Sequence, residues 1–133
     1  MRRLLPTLAA TAVCLLAAAS PATAFEVRAT ASDNGKTVHL TRGDVLQVTL
    51  AENAGTGYAW RLTRRPAASI LRQLSNRFVA PPQTNPPTVG APGRRVVRWR
   101  ATNRGATSLR LQLFPPGFNT RPTQSFRLAA VVH

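Results

Sequence analysis

His39 and His133, together with Glu26, Asp33, Asp44 and Glu52, are all the histidines and carboxylates that the chain holds. General acid–base chemistry needs such groups within hydrogen-bond reach of one substrate. None of the four acids pairs with another on a strand face. A Ser-His-Asp set would have to recruit His39 or His133, and both read as surface residues. The single cysteine, Cys14, sits in an N-terminal apolar run, so the remainder cannot assemble a Cys/His metal site. No glycine-rich phosphate cradle follows a strand and opens a helix. These residue types point away from an enzyme, and away from a metal or other cofactor.

Presentation, rather than reaction, is what the remaining unusual residues offer. The stretch 51–60, AENAGTGYAW, joins two alternating segments. A two-residue Asn-Gly turn would close such a hairpin, so this loop is longer than closure requires. Gly55 and Gly57 permit positive φ and close backbone approach. They flank Thr56, a small side chain able to hydrogen-bond at a loop tip.

The elements that would hold this loop have a period of two, which argues for β-structure. Segments 44–50, 58–63, 96–101, 108–113 and 124–132 each place apolar residues on one face and Arg, Gln or Thr on the other. Shorter strands are expected at 26–31 and 36–40. Segment 69–79 is ambiguous, because Ile70, Leu71, Leu74 and Phe78 also suit a short helix. Many short strands with one apolar face each predict an all-β, antiparallel sandwich. Trp60 and Trp99 then belong to its core, and Tyr58 and Trp60 hold the base of the 51–57 loop.

In a chain that runs up and down, alternate connections share an end. Loops 51–57, 80–93 and 115–123 are long and rich in Gly and Pro, whereas 64–68 and 103–105 are short. Three elaborate loops therefore gather at one end, which reads as a binding edge. The alternative for 80–93 is a Pro-rich linker, but the flanking strands belong to one alternating set.

The beginning of the chain has a different logic. Arg2 and Arg3, an apolar run and Ala22-Thr23-Ala24 have the pattern of a secretory signal peptide. The alternative is a membrane anchor, although the run is short and Pro- and Ala-rich where a span needs about 20 apolar residues. Removal of residues 1–24 leaves 25–133 as one domain of 109 residues, without cysteine and without a membrane span. A monomer that is secreted or periplasmic is expected. The full chain has 18 Lys and Arg against 4 Asp and Glu, and Lys36 is the only lysine. Export argues against nucleic acid as the partner of this charge. Anionic envelope components or an acidic protein surface fit better.

These residues resemble, in order and over nearly the whole mature chain, the chagasin-type inhibitors of papain-like cysteine proteases (inhibitor family I42). That family's first loop reads Asn-Pro-Thr-Thr-Gly-Tyr followed closely by Trp. Here Asn53, Ala54, Gly55, Thr56, Gly57, Tyr58 and Trp60 stand in its place. A Gly-x-x-Gly in the second loop is matched by Gly90 and Gly93. An Arg-Pro-Trp in the third is matched by Arg121 and Pro122, with Thr123 replacing the aromatic. The resemblance implies an immunoglobulin-like sandwich whose loops wedge into the protease cleft, with Thr56 over a Cys–His pair and no cleavage needed. Ala54 lacks the ordering effect of Pro, Gly55 adds freedom, and Thr123 lacks an aromatic anchor. A second reading is an exported basic adhesion module that binds through its arginine faces, its inhibitor loops degenerate.

Overall fold

The alternating segments form eight strands: β1 (Glu26–Ala29), β2 (Thr37–Leu40), β3 (Val45–Glu52), β4 (Ala59–Arg64), β5 (Leu71–Val79), β6 (Gly93–Ala101), β7 (Gly105–Phe114) and β8 (Gln124–Val132). The structure, a computed structural model, describes residues 17–18 and 23–133. The expected leader, residues 1–24 with Cys14, falls almost wholly outside them. No helix among the described residues is long and apolar enough to cross a membrane.

The strands divide into two four-stranded sheets, ordered β1-β3-β6-β5 and β2-β8-β7-β4. Between them lie Leu46, Val48, Leu50, Leu71, Val97 and Trp99 of the first sheet and Leu40, Leu109, Leu111, Phe126 and Leu128 of the second, all buried. Each such side chain contributes about 1.5–3 kcal/mol by leaving water. Two pairings depart from a purely antiparallel sandwich: β1 lies parallel to β3, and β2 parallel to β8. The reason is the path. β1, β2 and β3 alternate between the sheets, so β3 returns beside β1 by a crossover rather than a hairpin.

Segment 69–79 resolves as strand β5, paired antiparallel with β6. Its helix-like spacing has a local cause. The register shifts between Gln73 and Ser75, so the alternation changes phase at Leu74. This β-bulge lets Leu71 and Phe78, seven residues apart, face the same side. Leu74 itself is left exposed.

Register places the loops. The end of β3 meets the start of β6 at Glu52 opposite Gly93, and the end of β5 adjoins it at Val79 opposite Arg94. In the other sheet the start of β4 meets the end of β7 at Ala59 opposite Phe114, and the start of β8 adjoins it at Gln124 opposite Leu113. The three long connections therefore leave from one end of the sandwich, as the parity of the connections predicts. Their limits shift slightly. Ala51 and Glu52 complete β3 and Gly93 opens β6, leaving loops of 53–58, 80–92 and 115–123.

Candidate functional site

The platform beneath the loops is polar and closed. Glu52, the last residue of β3, is 3 % exposed. Its Oε1 accepts from Arg95 Nη2 at 2.7 Å, and its Oε2 accepts from Arg95 Nε at 3.1 Å and from the Trp60 backbone amide at 2.8 Å. The Trp60 indole donates to the Ala51 carbonyl at 2.8 Å. A buried carboxylate is tolerated only when paired and hydrogen-bonded, and here both oxygens are satisfied. The first loop thus leaves β3 and re-enters β4 across one fixed carboxylate. Glu52 and Arg95 were not singled out in the sequence; a lone acid beside a loop in a strongly basic chain is the signal that could have found Glu52.

Asn53 opens the first loop and caps a short 3-10 turn, Ala54–Thr56, its Oδ1 accepting from the Gly55 amide at 3.2 Å. The Thr56 amide and hydroxyl both donate to the Asn53 carbonyl, at 3.2 and 2.8 Å. Gly57 closes the turn with φ 77°. Two expectations change. Gly55 is not left-handed: it lies inside the turn, where an added Cβ would sit 3.3 Å from Asn53 Oδ1. The loop is also ordered without proline, by the Asn53 cap and the turn's own hydrogen bonds. Thr56 is exposed, but its hydroxyl proton is already engaged. It offers a partner its methyl group and oxygen lone pairs.

The third loop rests against the first. A Cβ placed on Gly57 would stand 3.0 Å from Pro116 Cβ, so only glycine admits this approach at that backbone angle. Within the loop Thr120 Oγ1 donates to the Pro115 carbonyl, and the Thr123 amide donates to the Leu113 carbonyl at 2.8 Å. Arg121, Pro122 and Thr123 are exposed. Phe118, at the loop's turn, is fully exposed. Beside it, Arg61 stands over the Phe114 ring at 5.2 Å, and Arg61, Phe114 and Phe118 line an open cleft of about 420 Å³.

In the second loop Thr84 Oγ1 donates to the Pro86 carbonyl and accepts from the Thr88 amide at 3.0 Å. Val89 is 97 % exposed and is followed by Gly90 at φ 79°. The Gly-x-x-Gly pair separates in role. Gly90 turns the loop tip. Gly93 is buried as the first residue of β6, where a Cβ would lie 2.5 Å from the Val79 carbonyl oxygen and collide with Phe78. Val89 and Phe118 were missed in the sequence; an isolated large apolar residue inside a Gly/Pro-rich loop is the signal.

Tyr58 is half-buried at the loop base and Trp60 is buried. Trp99 pairs across from Leu46, well below the loops, and is a core residue alone. His39 and His133 lie at the opposite end, Nδ1 to Nε2 at 3.0 Å. No cluster of His, Cys, Asp or Glu suited to a metal occurs among the described residues.

The sequence profile described as "Chagasin family peptidase inhibitor I42" matches residues 39–130. No curated protein sequence matches the chain. Among solved structures, the cysteine protease inhibitor EhICP2 from Entamoeba histolytica is similar at a TM-score of 0.67 and 20 % identity, over 81 % of this chain and 95 % of its own. Amebosin is similar at 0.61 and 22 %, over 84 % and 100 %. PbICP-C, solved in complex with falcipain-2, is similar at 0.57 and 16 %, over 86 % and 96 %.

Proposed function

Because the chain belongs to the chagasin family of peptidase inhibitors, we propose that it inhibits papain-like cysteine proteases by lodging loops 53–58, 80–92 and 115–123 in the active-site cleft. One observation carries this reading: three exposed loop tips, Thr56, Val89 and Phe118, rise from one end of the sandwich over buried Glu52 and its half-buried partner Arg95. Two of these three tips, Val89 and Phe118, present a large apolar side chain at the loop end, where a partner would bury both together with Thr56. The complex of PbICP-C with falcipain-2 supports a protease of this class as partner.

In this reading Thr56 sits over the catalytic Cys–His pair. Its methyl group and lone pairs face the cleft, and no carbonyl of the inhibitor need be placed for attack. Val89 and Phe118 flank it and exclude water from the rim. Asn53, Gly55 and Gly57 shape the first loop, Gly90 and Gly93 the second, and Arg121, Pro122 and Thr123 the edge of the third. A preordered first loop costs less conformational entropy on binding than a flexible one. Export belongs to the same proposal: removal of residues 1–24 would deliver the domain to the periplasm or beyond, where foreign or endogenous proteases are met.

The test is titration of papain with the purified protein. Stoichiometric inhibition without cleavage of the inhibitor is the expected result. Steady digestion of the protein, or undiminished papain activity at large excess, overturns the proposal.

A further inference from the structure

A second candidate site lies on the outer face of the sheet β2-β8-β7-β4, away from the loops. Arg110 of β7 stands directly opposite Arg127 of β8 and opposite Arg64 of β4. Lys36 flanks β8 on the other side, its carbonyl accepting from the Ala129 amide while the neighbouring Gly35 amide donates to the Arg127 carbonyl. Three arginines thus form one row across the sheet, and Lys36 lies beside its end, next to Gly35, which falls opposite Arg127. Cβ atoms of directly opposed residues are about 5 Å apart, and like charges so placed destabilise a sheet.

The row depends on an irregularity. Trp60 and Leu62 face the core, so regular alternation would turn Arg64 inward with them. The register shifts between Leu62 and Arg64, and Arg64 pairs with outward-facing Arg110 instead. A bulge that re-aims one side chain onto a charged row is a feature that needs an explanation.

Compensation from within the chain is slight. Of the four ion pairs among the described residues, one touches the row: Asp33 to Lys36 at 3.6 Å, at its far end. Arg110 Nε is buried and has no hydrogen-bond partner. Lys36, Arg64, Ser108, Arg110 and Arg127 are among the residues lining an open cavity of about 340 Å³ with no carboxylate in its walls.

We infer that Lys36, Arg64, Arg110 and Arg127 form a phosphate-binding pocket, for a soluble phosphate ester or a phosphate-bearing lipid headgroup. A carboxylate has one charge and two oxygens, enough for one guanidinium. A phosphate has up to two charges and at least two free oxygens, and it accepts the forked donors of several arginines at once. The Ser108 hydroxyl supplies a further donor. The pocket lies mid-sheet, so a ligand there leaves the loop end free.

The experiment is calorimetric titration of inorganic pyrophosphate into the protein at low and physiological salt, with co-sedimentation on phosphatidylcholine vesicles with and without phosphatidylglycerol. Saturable one-to-one pyrophosphate binding is expected, weakened at least about tenfold by R110Q/R127Q and little changed by R94Q/R98Q on the opposite sheet. Should pyrophosphate fail to saturate while vesicle binding is lost in R110Q/R127Q alone, the ligand is a headgroup. Absence of both kinds of binding overturns the inference. So does equal weakening in both double variants, since that is the mark of diffuse attraction. Circular dichroism confirms folding, and R64Q, on the edge strand, serves as a second variant. R110Q/R127Q is expected to inhibit papain like the parent.

Discussion

Glu52 and Arg95, 43 residues apart, form a two-point ion pair that seals the end of the sandwich beneath the three loops. The same carboxylate takes the Trp60 amide, so one side chain links the first loop's exit strand, its entry strand and β6. Removing one member of a fully buried pair costs about 3–5 kcal/mol; Arg95 keeps 20 % of its side chain in solvent, so a loss of about 2–3 kcal/mol fits this part-buried pair. Glu52→Ala is expected to lower stability by that order, read from urea denaturation. A loss below about 1 kcal/mol would show that the pair is solvated and does not brace the loops.

Thr56→Arg should abolish papain inhibition, because a long charged side chain cannot enter a cleft shaped for a small one. The turn beneath it is held mainly by backbone groups and Asn53, and loop tips tolerate change. Stability is expected to stay within about 0.5 kcal/mol of the parent. An unchanged inhibition constant would remove the first loop from the interface.

The third loop offers two opposed tests. Phe118→Ala should weaken inhibition about tenfold, since a fully exposed ring buried in a complex contributes roughly 1.5–3 kcal/mol before ordering costs. Thr123→Trp should tighten it about tenfold, mainly through slower dissociation. The Thr123 amide holds the Leu113 carbonyl at 2.8 Å, and its exposed side chain adds only a long hydroxyl contact, 3.4 Å, to the same oxygen, so the larger residue is accommodated at the loss of that contact. Surface plasmon resonance against a papain-like protease measures both. If neither dissociation rate moves, this loop does not reach the enzyme.

Acid should erode stability in part through Asp33 and Glu26. The Thr30 amide, with Lys36, holds Asp33 below the ordinary carboxylate range, and the Arg28 guanidinium, with Arg98, does the same for Glu26. A depressed native value means that the contribution is complete above about pH 4, where these groups titrate in the unfolded chain, and fades as pH falls through the lower native values. Asp33→Asn is expected to lose less stability than the parent between about pH 6 and pH 3. Equal losses in urea midpoints would assign the acid sensitivity to other carboxylates.

The proposed processing before Phe25 can be tested at one contact. The Phe25 amide donates to Asp44 Oδ1 at 3.1 Å, and Asp44 is buried at the turn before β3, where its other oxygen accepts from Thr41. Cleavage before Phe25 would convert that amide into an ammonium group and the contact into a charge-assisted hydrogen bond. Intact mass of the exported protein is expected to begin at Phe25. Asp44→Asn should then destabilise the processed form more than the unprocessed one. Export with residues 1–24 retained would refute the proposed processing.

Period-two alternation and the placing of Gly and Pro made most of this molecule legible from its residues alone. Both are local signals: a strand that buries one face must alternate, and a chain that turns sharply needs particular residues. Seven of the eight strands, the two-sheet sandwich and the gathering of three loops at one end follow from them. Decisions between distant segments do not. Whether Arg64 faces the core or joins Arg110 depends on one residue of register against β7. That Glu52 is a buried brace rather than a surface acid depends on Arg95 arriving on another strand. In each case the free energy is set by a partner remote in sequence or by a slip of one position in pairing, and alternation along a single segment has no information about either.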